Sequence, residues 1–528
     1  MKILHNKYRA IITSLILVIT SLIFILSFLS LSSCRSAEHD NIVTGRGITA
    51  VKINLLGSDY KGSSRDISQV QKHTTLVNPS TAIVAELNST MPTRSISGDQ
   101  IGSGVQFRVI VYKHNDGSYK TYQDYIIGQP VAPLMLDGGV NYDIVAYSYG
   151  VTTLPAISSG EQSNINSATI NYDDINRDFM YQKVSYTPDG NNSNNTLNIT
   201  LRHKLTQITT IINSGSLGSI TNVSGILTPH YRNGIFSLNT GLLSGRTNMT
   251  SGEHLSYSAS EFPGTTVKAM PLLINADTEG NTTGGFSASI EIAGTTKTVS
   301  LPNSFKITPE YKSNLTVNIV KCGAYIGPNT DPANFKEFMC QNLGATEGIN
   351  PFSPEAGNHG AKYQWGYKPI NENSSDDRYY TQADDQNNPG KIPGWNRKEV
   401  PNGSWSDTSK TENDPCPRGY RVPTKAQWQA VIDNNPNVER VGSWVDSDGN
   451  YTSALYFRNR SNNRTLMLPA AGFRDERNGN LYLRGYIGYY SSSSEFSYYC
   501  RYLNFLGNDV YVTNYDRTAG FSVRCVAE

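Results

Sequence analysis

Between residues 45 and 320, apolar and polar residues alternate in short runs separated by Gly, Asn, Asp and Pro, the pattern of half-buried β-strands joined by turns. QFRVIVY (106–112) runs into Asn115-Asp116-Gly117 and resumes at Tyr119, which predicts a hairpin by turn chemistry. In NYDIVAYSY (141–149), Ile144 and Ala146 fall on one face of a pleated strand, and in NLTVNIV (314–320) Leu315, Val317 and Ile319 do the same. No helical periodicity longer than three turns interrupts this stretch, so it predicts two antiparallel β-sandwiches rather than an α/β fold. The polar run DGNNSNN (189–195) is the expected join, a linker that cannot pack, dividing 34–190 from 191–320.

Past residue 320 the pattern changes to mixed α+β. Thr424 and Gln427 have capping-box spacing, and Trp428, Val431 and Ile432 then share one helical face. All five Trp (Trp365, Trp395, Trp405, Trp428, Trp444) and every cysteine except Cys34 lie in this part, so 321–528 is expected to be a third domain. The fold class predicted for the whole is mainly β.

The N-terminus has another purpose. Lys2, Lys7 and Arg9 precede an uncharged stretch from Ala10 to Cys34, which is an export segment and no part of the fold. Its apolar length would also suit an uncleaved anchor. Leu31-Ser32-Ser33-Cys34, however, resembles the bacterial lipobox, in which the cysteine thiol takes a diacylglycerol before cleavage. Residues 1–33 are then a signal peptide, Cys34 is the lipidation site, and the lipid holds the mature chain to a membrane outside the cytoplasm.

Composition narrows the function. Charged residues make up 17% of the 528, Lys and Arg outnumber Asp and Glu by 45 to 44, and Tyr alone counts 32. A chain with net charge +1 has no field for a polyanion, so nucleic acid is not an expected partner. The eight His stand in no zinc-binding spacing, and neither a nucleophile elbow nor a phosphate-binding loop is present, so no cofactor, metal or catalytic residue is implied. Asp446-Ser447-Asp448-Gly449-Asn450 begins like a calcium loop, but position twelve is Phe457 where a bidentate Glu belongs, and a hairpin turn is the better reading.

Particular residues carry two family resemblances. Thr93-Arg94, the strand 107–112, Leu136-Asp137-Gly138-Gly139 with the strand 142–149, and Leu201-Arg202-His203-Lys204-Leu205 make 45–320 similar to the fimbrillin-like lipoproteins of Bacteroidales. Phe338-Met339-Cys340, Tyr363-Gln364-Trp365-Gly366, Cys416-Pro417-Arg418-Gly419-Tyr420-Arg421-Val422-Pro423-Thr424, Leu468-Pro469-Ala470-Ala471-Gly472-Phe473-Arg474 and Gly520-Phe521-Ser522-Val523-Arg524-Cys525 make 321–528 resemble the Fibrobacter succinogenes major paralogous domain, which has a C-type-lectin-like fold. Tyr490 stands before the serine run 491–494 where that family often has Trp.

The resemblances imply a subunit of a cell-surface fimbria anchored at the outer membrane. Its partners would be stalk or adaptor subunits joined by donor-strand exchange after proteolysis, with Arg46, Arg65 and Arg94 as candidate processing sites. Because the family's donating C-terminal segment is replaced by the lectin-like domain, a tip position follows. The lectin-like fold also occurs in formylglycine-generating enzymes, but the cysteines here read as structural in an oxidising compartment and the chain is not expected to be an enzyme. Cys416 with Cys525, and Cys322 with Cys340, are the expected disulfides, leaving Cys500 unpaired.

The segment 489–517 is dense in Tyr, Ser and Asn, the residues that paratopes use for contact area at low entropic cost. It also resembles the variable segments of retroelement-diversified lectin-like proteins. Tyr498, Tyr499, Arg501, Tyr502, Asn504, Asn508, Tyr511, Asn514 and Tyr515 are the candidate ligand-binding residues, for a host or microbial glycan or protein. Strand alternation should send Leu503 and Phe505 to the core and leave Tyr502 and Asn504 available. An ordinary Tyr-rich strand surface is the competing reading of the segment, and a monomeric surface lipoprotein without a fimbria is the competing reading of the whole.

Replacing Cys34 with Ala should accumulate unprocessed precursor and abolish incorporation of labelled fatty acid. Equal labelling of the C34A chain would overturn the lipobox reading.

Overall fold

The computed structural model describes residues 47–61, 70–89, 99–174 and 178–528. Cys34, Arg46, Arg65 and Arg94 lie outside the described residues. The described chain is mainly β and falls into two compact units.

The smaller unit comprises 47–52, 133–140 and 187–195. Ile48 to Val51 pair antiparallel with Leu134–Asp137, and the polar run closes against them: Asn195 is buried, with Nδ2 donating to the carbonyls of Asp189 (2.9 Å) and Asn192 (2.7 Å) and to Thr49 Oγ1 (3.1 Å). The expected linker is therefore a packed turn. Its amides satisfy one another, which composition alone does not reveal.

Two sandwiches and the C-terminal region make up the larger unit. In the first sheet, Tyr119–Ile126, Gln106–Lys113, Tyr142–Ser148, Met180–Tyr186, Asn195–His203 and the later part of Ile48–Asp59 lie side by side in that order. Asn54 bonds Asn198 and Asp59 bonds Arg202, so these partners advance together and the two strands run parallel. Ile110, Val145 and Tyr147 of this sheet pack on Ile170, Tyr172 and Phe236 of a three-stranded sheet built by Thr169–Asp173, Tyr231–Ser237 and Leu243–Met249.

The second sandwich recruits strands from both sides of the expected boundary. Val70–Asn78 and Thr81–Ser89 join Lys312–Lys321 and Thr206–Asn213, and Ile83, Ala85 and Leu87 share one core with Ile212, Ile290, Leu301 and Val317. A division at residue 190 would cut both sandwiches, because their strands interleave along the chain. The expectation of wholly antiparallel sheets also fails: Thr206–Asn213 and Lys312–Lys321 run parallel, from Gln207 opposite Lys312 to Asn213 opposite Asn318. A parallel pair needs a long crossover connection, a feature that local alternation does not carry.

Beyond Lys321 the sheets contain only C-terminal strands. Cys322 is bridged to Cys340, Cys416 to Cys525, and Cys500 is a buried free thiol that burial pushes up to about 12. The main sheet orders Tyr379–Tyr380, Lys362–Gln364, Gly520–Phe521, Ala471–Arg474, Gly488–Phe496, Tyr499–Phe505 and Val510–Asp516. Helix Lys425–Asn434 starts on a full capping box, Thr424 Oγ1 accepting the Gln427 N–H (3.0 Å) and Gln427 Oε1 the Thr424 N–H (2.9 Å). Trp428 is buried from this helix and donates from Nε1 to the Ser491 carbonyl (3.0 Å); Trp365 does the same to Ser492 (3.0 Å). The Ser493 and Ser494 hydroxyls are donated to Asp407, so the serine run 491–494 is buried structure rather than surface.

One carboxylate gathers the far side of this region. Asp385 Oδ1 accepts from Arg474 Nε (2.7 Å) and Oδ2 from Arg484 Nη2 (2.7 Å) and Lys362 Nζ (3.3 Å), with all four side chains buried. Burial alone would raise the Asp385 pKa, but Lys362, Arg474 and Arg484 outweigh it and hold the carboxyl at about 2. A carboxyl lowered on folding contributes stability above its unfolded pKa and loses that contribution as pH falls through the folded value. We predict that the protein loses stability between about pH 4 and pH 2 and that D385N lacks this dependence. D385N should also be less stable at pH 7 by about 3–5 kcal/mol, since it leaves three buried cations without their counter-charge. Denaturant unfolding across pH would show a flat wild-type profile in that window if the prediction is wrong.

Candidate functional site

Gly488–Phe496 and Tyr499–Phe505 form a hairpin closed by Ser497 and Tyr498. Ser497 takes a positive φ of 54°, a backbone state that favours glycine, and Tyr498 stands out at 73% exposure. Phe496 and Tyr499 flank it and are also exposed, and the Arg501 guanidinium lies 3.9 Å from the centre of the Phe496 ring, in cation–π geometry.

The tip is held from beneath. Arg517 is buried with its guanidinium over the Trp365 ring, 4.5 Å from the centroid. It donates to the Ser497 carbonyl (2.6 Å), the Tyr499 carbonyl (3.3 Å) and Asn402 Oδ1 (2.7 Å). A buried cation that satisfies the turn's own carbonyls holds the tip in one conformation, so its aromatic rings are presented on an already ordered backbone.

The remaining candidate residues divide by face. Alternation does send Leu503 and Phe505 one way and Tyr502 and Asn504 the other, but both faces of Tyr499–Phe505 are covered. Leu503 and Phe505 pack with Trp428, Leu468 and Tyr490. Tyr502, only 6% exposed, stacks on Tyr489 (5.4 Å between centroids) and packs on Phe521 (4.9 Å), while Asn504 is buried beside them. The expectation that Tyr502 and Asn504 face a ligand is therefore wrong, because this strand sits between two cores. Tyr515 is half-buried against the same rings, and burial followed by the Glu476 carboxylate raises its pKa to about 12. Asn514 is half-buried opposite Arg501, Tyr511 is exposed at the strand beyond, and Asn508 is exposed in the preceding turn.

Of the expected set, Tyr498, Tyr499 and Arg501 come together at one exposed tip, and Phe496 and the underlying Arg517 were missed. Phe496 had a readable signal, since it is an aromatic residue two positions after the serine run and immediately before the turn. Arg517 had none, because its target carbonyls lie 20 and 18 residues away in sequence.

Two other clusters have the composition of metal sites. Asp174, His230 and Glu253 place their ligand atoms together around the buried imidazole. His230 Nδ1 accepts the Asn275 backbone N–H (3.2 Å), so the neutral ring must carry its proton on Nε2, which donates to Asp174 Oδ1 (2.9 Å). A protonated nitrogen cannot ligate, and the cluster is a hydrogen-bonded pair. At the calcium-like loop, the Asp448 carbonyl accepts from Arg484 Nη1 (2.6 Å) and Asn450 Nδ2 ties the loop to Ser443 Oγ (3.0 Å) and the Val445 carbonyl (2.8 Å). A cation there would meet a guanidinium.

No protein-family model and no curated protein matches the chain. Solved structures do. A candidate cell adhesion protein of Bacteroides ovatus aligns at 13% identity over 52% of this chain and 97% of its own, with a TM-score of 0.31. A second, of Bacteroides fragilis, aligns at 11% identity over 51% and 92%, also at 0.31. A fimbrial assembly protein of Parabacteroides distasonis aligns at 10% identity over 41% and 87%, at 0.26. At these identities and scores the likeness carries no inference about binding or activity.

Truncation separates the two classes of tyrosine. Tyr502→Ala should destabilise the protein by about 3–5 kcal/mol, as for a large core aromatic, whereas Tyr498→Ala should shift stability by less than about 0.5 kcal/mol. Comparable melting temperatures for the two variants would refute the division.

Proposed function

We propose that this chain is an exported adhesion subunit of the cell surface, anchored through lipid on Cys34, that binds a glycan or protein ligand with the aromatic tip formed by Phe496, Tyr498, Tyr499 and Arg501. The single observation that carries the reading is that tip: three exposed aromatic rings and a guanidinium on a turn clamped by a buried arginine. Tyr and Arg are the side chains most enriched at binding hot spots, and a rigid presentation keeps their ordering cost low. The 321–528 region is, in this reading, the lectin-like recognition domain, and the interleaved sandwiches before it are the fimbrillin-like stem.

The same reading makes the subunit an acceptor in donor-strand exchange. Ile53 is buried within Ile48–Asp59, and release of that strand by proteolysis would bare the edge of Asn195–His203, a template for a strand from a neighbouring subunit. Arg65 follows this strand directly in sequence, whereas cutting after Arg94 would also remove Val70–Asn78 and Thr81–Ser89 and with them part of the second core. The segment around Cys525 is unsuited to donation, because Val526 pairs with Arg421 and Cys525 is disulfide-bonded. A tip position in the filament is consistent with accepting a strand and not giving one.

Tyr498→Ala and Arg501→Ala should each weaken adhesion by about thirtyfold at a hot spot of typical strength, with unchanged melting temperature. Glycan-array and cell-binding measurements on the full chain give this readout, and normal binding by both variants would place adhesion elsewhere. Immunogold labelling should mark filament ends. Uniform labelling of the cell surface would retain the adhesion reading and remove the fimbrial one.

A further inference from the structure

A cleft of about 820 Å³ that shares no lining residue with the aromatic tip lies where the second sandwich meets the turn between the C-terminal strands Ala454–Arg458 and Arg464–Pro469. Its volume falls within the roughly 300–1,000 Å³ of ligand sites. Strand alternation builds one wall. Val317 and Ile319 point into the sandwich core, so Asn318 faces outward, and the parallel register sets Asn213 beside it. The opposite wall is the Asn-rich turn, including Asn459 and Asn463.

The polar groups of these walls are only partly used. Asn213 Nδ2 donates to Asn318 Oδ1 (2.8 Å), and among the described residues neither Asn213 Oδ1 nor Asn318 Nδ2 has a protein partner. Asn459 Oδ1 accepts the Asn463 backbone N–H (2.9 Å), and its side-chain Nδ2 is likewise without one, the backbone N–H being donated to the Asn463 carbonyl (3.0 Å). A carboxamide offers a donor and an acceptor at one end, the complement of adjacent hydroxyls on a sugar ring.

Charge adds a second selection. Lys321, Arg458 and Arg464 line the cleft and no carboxylate does. Arg458 and Arg464 share one partner, Glu439, and Lys321 pairs with Glu337 (2.6 Å), so three cations divide two carboxylates. The Arg464 guanidinium is stacked 4.0 Å over the Tyr456 ring, which fixes its plane. An excess cation among half-satisfied amides, with no acid in the walls, selects a polyhydroxylated anion.

We propose that this cleft is a second binding site, for an acidic oligosaccharide whose hydroxyls meet Asn213, Asn318, Asn459 and Asn463 and whose carboxylate or sulfate groups meet Arg464 and Lys321. The site is independent of the aromatic tip and does not rest on the adhesion reading.

Titration calorimetry of the full chain in detergent, with oligogalacturonate, heparin hexasaccharide and maltohexaose as probes, tests it. One or both acidic probes should bind, less tightly as salt is raised, and the neutral probe should bind at least about tenfold more weakly. Oligogalacturonate alone would identify carboxylate as the recognised group, and heparin alone sulfate. Asn318→Ala and Asn463→Ala should each weaken the acidic probe about tenfold with the melting temperature unchanged, and Tyr498→Ala should leave it unaffected. Asn463 is exposed in a turn, so N463A keeps the test valid even if N318A perturbs the sheet. Absence of acidic-probe binding at millimolar concentration, equal binding of maltohexaose, or full binding by N463A would overturn the proposal. Loss of binding in Y498A with retention in N463A would transfer the acidic ligand to the tip.

Discussion

The strand Lys312–Lys321 carries the connection on which the larger unit depends. It is paired on both sides, antiparallel with Thr81–Ser89 and parallel with Thr206–Asn213, and it buries Leu315, Val317 and Ile319 in the second core. It then leads without a linker into Cys322, whose N–H donates to the Ser80 carbonyl (2.8 Å), while its disulfide partner Cys340 donates from N–H to the Pro79 carbonyl (2.7 Å). Ser80 Oγ donates to Glu337 (2.5 Å) and accepts from Tyr420 Oη (3.0 Å). The turn between two sandwich strands is thus gripped by the C-terminal region through backbone, disulfide and side chains together. A linker would let the regions reorient, whereas this junction holds the polar cleft beside it in one shape.

Inside the C-terminal region, burial and charge set a second constraint. The central strands of its sheet have a core on each face, so the aromatic side chains that look most suited to ligand contact are spent on packing. Exposed side chains are left at the turns: Ser497 and Tyr498, where two strands of the main sheet meet, and Asn459 to Asn463, which joins two strands of the neighbouring three-stranded sheet. Both are supported by guanidinium groups held in place, Arg517 by turn carbonyls and Arg464 by Glu439 and the Tyr456 ring. Fixed cations beneath exposed turns give these turns a defined shape without burying them.

Local patterns in the chain determined a good deal. Alternation identified the hairpin at 106–126 and the inward set Leu315, Val317 and Ile319, and the Thr424–Gln427 spacing identified the helix start, because each depends only on neighbours within a few residues. The same locality explains the failures. The run 189–195 looks like a linker, but its polar groups satisfy one another only once the chain has turned back on itself. Which strands share a sheet, which pair runs parallel, and that Tyr502 and Asn504 lie under a second core all depend on segments hundreds of residues apart. The residue types of the aromatic tip were legible in the sequence. Tertiary structure alone decided which of them reach solvent, since exposure is a property of what packs above a side chain and not of the side chain itself.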